Sequence, residues 1–212
     1  MKLIHTVGDV SLECNILETE NPPELIENDP NNLFVNTYSC EYFLLRQKTY
    51  NKLTEAKKYL PKGYHFKAFE LYRPIKRQIY YWDCVLRELE EKYPHLSPEK
   101  LDEMANIYIA NPYKQGSGHQ TGAALDLTLC DENNKELDMG TGWREFNDLT
   151  PTFSNSTKLT ETQKKNRKIL YEAMITAGFV NYFEEWWHYS YGDIEWAVIT
   201  KIGKTLYAPL KI

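Results

Sequence analysis

Of the five histidines in the 212 residues, two have neighbours that could do chemistry with them. In "GSGHQTGAALDLTL", residues 116–129, His119 stands near glycines and Asp126 follows it inside an apolar run. In "EEWWHY", residues 184–189, Glu185 precedes His188 by three positions. A carboxylate in a half-buried strand loses its hydration unless something compensates, so Asp126 demands a partner. Two imidazoles and a carboxylate, with a second carboxylate beside them, are the donor set of a catalytic zinc centre: three N/O ligands, an open position for water, and a base. The same residues also admit plainer roles, with His119 in a turn, the Trp-Trp-His run in the core, and Asp126 paired with a lysine or arginine.

For such a centre to form, the backbone must break twice. Residues seven apart or three apart on an ideal strand point to opposite faces. Gly118 and Gly122 can supply a turn or bulge between His119 and Asp126, because glycine tolerates the dihedrals such a break requires. "EEWWHYSY" makes a poor helix and reads as an irregular strand with a bulge.

The elements that must position these residues follow from periodicity. Residues 43–60 place Tyr50, Leu53, Ala56 and Leu60 at near-helical spacing before "PKG" ends the pattern. "YHFKAFELY", 64–72, alternates as a strand, and Pro74 suits the first turn of a helix with Ile75, Ile79, Trp82, Leu86 and Leu89 on one face. Arg73 therefore falls where strand passes into helix. Ser97 and Pro98 open another helix, striped by Leu101, Met104, Ala105 and Tyr108. "AALDLTL" is a strand, "CDENNKELD" a polar hairpin turn, and "DLTPTFSNST" a long loop of the kind that often carries function. Thr160 and Gln163 have the form of a capping box ahead of the stripe Leu170, Ala173, Met174 and Ala177, which stops at Gly178. From residue 179 onward, aromatic and β-branched residues predict strands with turns at "YGD" and "IGK". The sum is an α+β fold: a single domain whose mainly antiparallel sheet carries the site, with flanking helices.

Three motifs, in order, carry a resemblance. "LYRP" contains Arg73; "SGHQTGAALD" fits the pattern SxHxxGxAxD through Ser117, His119, Gly122, Ala124 and Asp126; "EWWH" fits ExxH. With these the chain resembles the D-alanyl-D-alanine dipeptidases of the vancomycin-resistance type, within the zinc D,D-peptidases. The resemblance implies that His119, Asp126 and His188 bind one zinc per chain, that Glu185 is the catalytic acid/base, and that Arg73 steadies the charge of the tetrahedral intermediate. It covers residues 33–212 as the catalytic domain and leaves 1–32, with "ENPPELIENDPNN", as a loop-rich N-terminal extension. One departure stands out. The family carries an aspartate shortly after an "MG" pair that holds the dipeptide's free ammonium, whereas Met139 and Gly140 here place Arg144 at that point with Glu145 next to it. A guanidinium repels an ammonium, so either Glu145 serves, together with Ser117 on the substrate, or the substrate is recognised differently.

Composition excludes other classes. Hydrophobic residues at 42% and 16 tyrosines describe an ordered protein with an aromatic core. A net charge of -5 without a basic stripe argues against a nucleic-acid partner. No apolar run reaches the roughly 18 residues of a membrane span, and acids occupy the place of a signal peptide's apolar region, so the expected location is the cytoplasm without membrane contact. Cys14, Cys40, Cys84 and Cys130 form no CxxC pair and read as buried, reduced thiols. Three functions remain to be separated. The first is zinc-dependent hydrolysis of the D-alanyl-D-alanine dipeptide, a small peptide substrate of D-amino acids. The second is the same chemistry on longer muropeptide precursors, as a D,D-carboxypeptidase. The third is a non-catalytic zinc-stabilised module, which would need neither Glu185 nor Arg73.

Overall fold

The computed structural model describes residues 24–35, 40–153 and 157–210. In chain order the elements are β1 (Leu25–Ile26), β2 (Leu45–Arg46), α1 (Gln47–Lys57), β3 (His65–Glu70), α2 (Ile75–Lys92), α3 (Pro98–Tyr108), β4 (Ala124–Cys130), α4 (Glu161–Thr176), β5 (Val180–Asn181), β6 (His188–Ser190) and α5 (Ile194–Ile199). A 3-10 turn, Gly118–Thr121, precedes β4. Cys14 and most of the N-terminal extension lie outside the described residues, as do positions 154–156 of the expected long loop.

The main sheet has the order β3-β4-β6-β5, and every neighbouring pair in it is antiparallel. β4 lies inside this sheet, and all seven of its residues are buried. Alternation along the strand sends Leu125, Leu127 and Leu129 to the face where Leu53 and Ala56 of α1 and Leu170 and Met174 of α4 complete one apolar cluster. Each leucine removed from water there is worth roughly 1.5–3 kcal/mol, which anchors β4 by one face and leaves Asp126 on the other. A smaller cluster of Trp82 and Leu89 from α2 with Leu101 and Ala105 from α3 packs that pair together. Trp186 and Trp187 belong to the main core.

Local signals explain most element boundaries. The Ser97 hydroxyl accepts from Lys100 N at the start of α3, and the Thr160–Gln163 capping box opens α4. After β4 the chain reverses in a hairpin in which Asp131 N donates to Lys135 O and Asn134 takes φ +62°. The end of the chain departs from expectation. Residues 194–199 are helical, because the Asp193 carboxylate caps Trp196 N at 2.9 Å, and this satisfied helix start outweighs the strand preference of the β-branched residues that follow. β5 and β6 are the strands that do form there.

Close packing fixes the turn before β4. A Cβ built on Gly118 would stand 2.3 Å from Asp193 Oδ2, and Gly122 adopts φ +71° where the turn enters the strand. Gly118→Ala is expected to cost about 1–3 kcal/mol through this overpacking, read as a lower denaturation midpoint at unchanged slope.

Candidate metal centre

His119 lies on the 3-10 turn, whose carbonyls are all engaged. Gly118 O accepts from Thr121 Oγ1, His119 O from Arg73 N, Gln120 O from Leu210 N, Thr121 O from Arg46 Nε at 2.7 Å, and Gly122 O from Arg46 N. Ser117 caps this turn: its hydroxyl accepts from His119 N, and its own N–H donates to Gln120 Oε1. The turn therefore presents the His119 ring from a backbone held by several distant segments, and Gly122 lets the chain double back into β4.

Sheet register brings in the rest. Asp126 is directly opposite His188 of β6 on one side and opposite Glu70 of β3 on the other. Facing residues on adjacent strands share a face, so the His188 ring meets Asp126 without special provision. His188 Nδ1 is 2.9 Å and His119 Nε2 3.3 Å from Asp126 Oδ1, and the two rings stand 5.0 Å apart, nearly perpendicular. The three donor atoms lie within 4.8 Å of one another. Ligands about 2.0–2.1 Å from one tetrahedral zinc stand roughly 3.3 Å apart, so the cluster fits such an ion with small adjustments.

Hydrogen bonds orient each donor. His119 Nδ1 is 2.7 Å from Leu71 O; a carbonyl can only accept, so this nitrogen carries a proton and Nε2 is the atom turned toward Asp126. Asp126 Oδ2 accepts from Trp143 Nε1 at 2.9 Å, which leaves Oδ1 to the two histidines. His188 Nε2 is 3.1 Å from Glu195 Oε2. Burial pushes the Asp126 carboxyl up, but His119 and His188 outweigh it and hold it well below the usual range. Burial pulls His188 down, and Glu195 and Asp126 reverse this and raise it well above an ordinary histidine. Without metal, a proton on His188 offsets the carboxylates, and that proton must leave when a cation binds.

Glu185 and His188 are joined by a turn. Glu185 N donates to Tyr182 O, His188 N donates to Glu185 O, and the Asn181 amide donates to Glu185 O and His188 O. The expected irregular strand is thus a turn through Glu185–Trp187 with β6 beginning at His188. Burial raises the Glu185 carboxyl to about 7; His188 opposes the shift, and Asp126 and Glu195 add to it. A carboxyl poised near neutrality beside this group of donor atoms is suited to proton transfer.

Arg73 is buried, and its ion-pair partner is Glu70. Its Nε donates to Glu70 Oε1 at 3.0 Å, its Nη2 to Glu70 Oε2, and its Nη1 to Gln78 Oε1 at 2.8 Å. Burial pushes Glu70 up, and the Arg73 hydrogen bond and charge bring it below its ordinary value. Arg144, at φ +60°, lies 4.5 Å over the Tyr81 ring and 4.6 Å over Trp143, and its Nη2 reaches Glu70 Oε2 at 3.2 Å. Glu145 does not join the cluster: it is exposed and accepts from Gly142 N and the Asn147 amide within its own loop. Trp143, whose indole orients the Asp126 carboxylate, is the residue of this cluster that sequence reasoning missed; the nearest signal was its place beside Arg144 after the "MG" pair.

Two histidines and an aspartate, oriented by fixed partners beside the half-buried Glu185 on an antiparallel sheet, form a cluster whose donor atoms could hold one metal ion. The chain belongs to peptidase family M15, described as D-ala-D-ala dipeptidase, whose sequence pattern matches residues 31–202. It is similar to the D-alanyl-D-alanine dipeptidase of Synechocystis, 31% identical over 153 residues that make up 61% of this chain and 60% of that protein. Against the D-alanyl-D-alanine dipeptidase of Escherichia coli it is 39% identical over 74 residues, 35% of this chain and 37% of that one. The similarity thus spans about three-fifths of the Synechocystis protein's length and little more than a third of the Escherichia coli one. A solved structure of VanYB in complex with D-Alanine-D-Alanine aligns over 90% of this chain and 89% of its own at 17% identity and a TM-score of 0.47.

The position of Glu185 has a consequence for the metal-free protein. Its carboxyl lies at about 7 rather than the ordinary 4.5, so the fold favours the protonated form, and stability falls as pH rises through that interval. Glu185→Gln carries no such charge. Metal-free Glu185→Gln is expected to melt above the metal-free wild type at about pH 8, with the gap closing as pH falls toward 4.5.

Proposed function

We propose that this protein is a zinc-dependent D-alanyl-D-alanine dipeptidase carrying one zinc per chain. The observation that carries the reading is the convergence of His119 Nε2, His188 Nδ1 and Asp126 Oδ1, each with its other polar atom tied to a fixed partner. These three atoms would hold the ion, which when bound supplies a Lewis acid and a water of lowered pKa. Glu185 takes a proton from the attacking water and returns it to the leaving amine, a task suited to its raised pKa. Arg73 has five N–H groups and directs three at Glu70 and Gln78, so two remain for the oxygen on which negative charge develops. Three thiols without disulfide partners among the described residues, Cys40, Cys84 and Cys130, support a place in the reducing cytoplasm. No described helix is long and apolar enough to cross a membrane.

One observation favours a second reading of the substrate. Where a dipeptide's ammonium would need a carboxylate, Arg144 presents a guanidinium, and Glu145 is bound within its own loop. Glu70, the carboxylate that Arg144 touches, is already neutralised by Arg73. A longer peptide, whose amine is acylated, meets no repulsion there, which makes D,D-carboxypeptidase action on muropeptide precursors the alternative.

Purified protein is expected to contain one zinc per chain, and Glu185→Gln to retain it while losing at least about 100-fold in kcat. A metal-free active enzyme, or a Gln variant with wild-type turnover, would overturn the mechanism. Arg144→Asp is expected to raise kcat/KM for free D-Ala-D-Ala relative to its N-acetyl derivative by roughly tenfold, the equivalent of about 1.4 kcal/mol. An unchanged ratio would remove Arg144 from substrate selection.

A further inference from the structure

Each ligand histidine has one ring nitrogen turned toward Asp126 and one turned away, and the outward nitrogens are held by different chemistry. His119 Nδ1 meets a main-chain carbonyl, Leu71 O. His188 Nε2 meets a carboxylate, Glu195 Oε2, at 3.1 Å. Glu195 sits in the first turn of α5, seven residues beyond the last position of the ExxH motif, so none of the motifs reaches it. Its side chain is 16% exposed, and His188 is its only ion-pair partner among the described residues. Its second oxygen, Oε1, is buried without a hydrogen-bond partner there. A largely buried carboxylate ordinarily pairs with lysine or arginine. One that spends its single contact on the outer nitrogen of a histidine acts on that ring's tautomer and direction.

We propose that Glu195 is a positioning residue of the metal centre. By accepting from Nε2–H it fixes His188 in the orientation that leaves Nδ1, on the Asp126 side, as the nitrogen whose lone pair is free for a metal once its proton has left, and its negative charge makes that imidazole the stronger donor of the two. His119, held by a neutral carbonyl, gains orientation without the charge. The centre is therefore asymmetric: one histidine is set by the main chain and the other by a side chain that substitution can remove. The proposal rests on His188 being a zinc ligand, as in the function proposed above.

The test measures zinc dissociation constants of the full chain by competition with a chromophoric chelator, for wild type, Glu195→Ala, Glu195→Gln, His188→Ala and the double variant His188→Ala/Glu195→Ala. Loss of an outer partner of this kind typically weakens metal binding about 10–100-fold, and that is the expected effect of Glu195→Ala. Glu195→Gln, which keeps an acceptor but no charge, should recover part of the loss, and it stands in for the Ala variant if that fails to fold. In the His188→Ala background, Glu195→Ala should change zinc affinity no further. Cobalt(II) in place of zinc should give a shifted ligand-field spectrum in Glu195→Ala. Wild-type zinc affinity in both Glu195 variants would overturn the proposal, and so would an equal loss in the His188→Ala background, which would mark Glu195 as support for the fold. If His188→Ala alone binds zinc as tightly as wild type, the metal-site reading itself falls, an outcome distinct from failure at Glu195.

Discussion

Asp126 is a buried carboxylate in the middle of an apolar strand, and the surroundings are arranged to keep its charge. Leu125 and Leu127, its neighbours in sequence, fasten β4 to the core and so commit residue 126 to the opposite face. Once there, the carboxylate cannot be hydrated, and it must be met by hydrogen-bond donors or by a cation. Trp143 meets one oxygen and the two histidines meet the other. Next to it on β3, Glu70 raises the same problem and is answered by Arg73 and Arg144. Two buried acids side by side repel one another, which explains why cationic or donor groups gather around this patch of the sheet from four separate stretches of chain.

The two acids also divide the labour of the region. One oxygen of Asp126 is paired with imidazoles, which can lose a proton, so a metal could take the proton's place there. Glu70 is paired with guanidiniums that keep their charge at any ordinary pH, so it stays an ion-pair anchor. The distinction follows from the side-chain chemistry of the partners more than from the position of the acids, which are direct neighbours across the strands.

What could be read from the sequence was what is encoded locally. The capping box at Thr160, the cap at Ser97, the stripe of α4 and the apolar alternation of β4 depend on residues a few positions apart, and all of them appear in the fold. The three donor residues could be picked out from motifs, but their convergence could not: His188 reaches Asp126 through strand register, a relation across 62 residues that no local spacing expresses. Trp143 and Glu195 were invisible for the same reason, since each earns its role by where a loop or helix happens to end. The helix at 194–199 was missed because one capping aspartate reversed the preference of the residues after it. Glu145 was named from sequence as a substrate contact, yet its carboxylate serves its own loop.

The turn that carries His119 has a further implication. Apart from Gly118 O, which Thr121 meets from within, its carbonyls are satisfied by Arg46, Arg73 and Leu210, residues drawn from three regions of the chain that meet only in the finished tertiary structure. A synthetic peptide spanning residues 116–129 would contain His119, Asp126 and every glycine between them, but none of these donors. It would bind metal, if at all, as a flexible pair of side chains. Any metal affinity of this cluster is therefore a property of the whole architecture, and grafting the motif onto another scaffold would transfer the letters without the geometry.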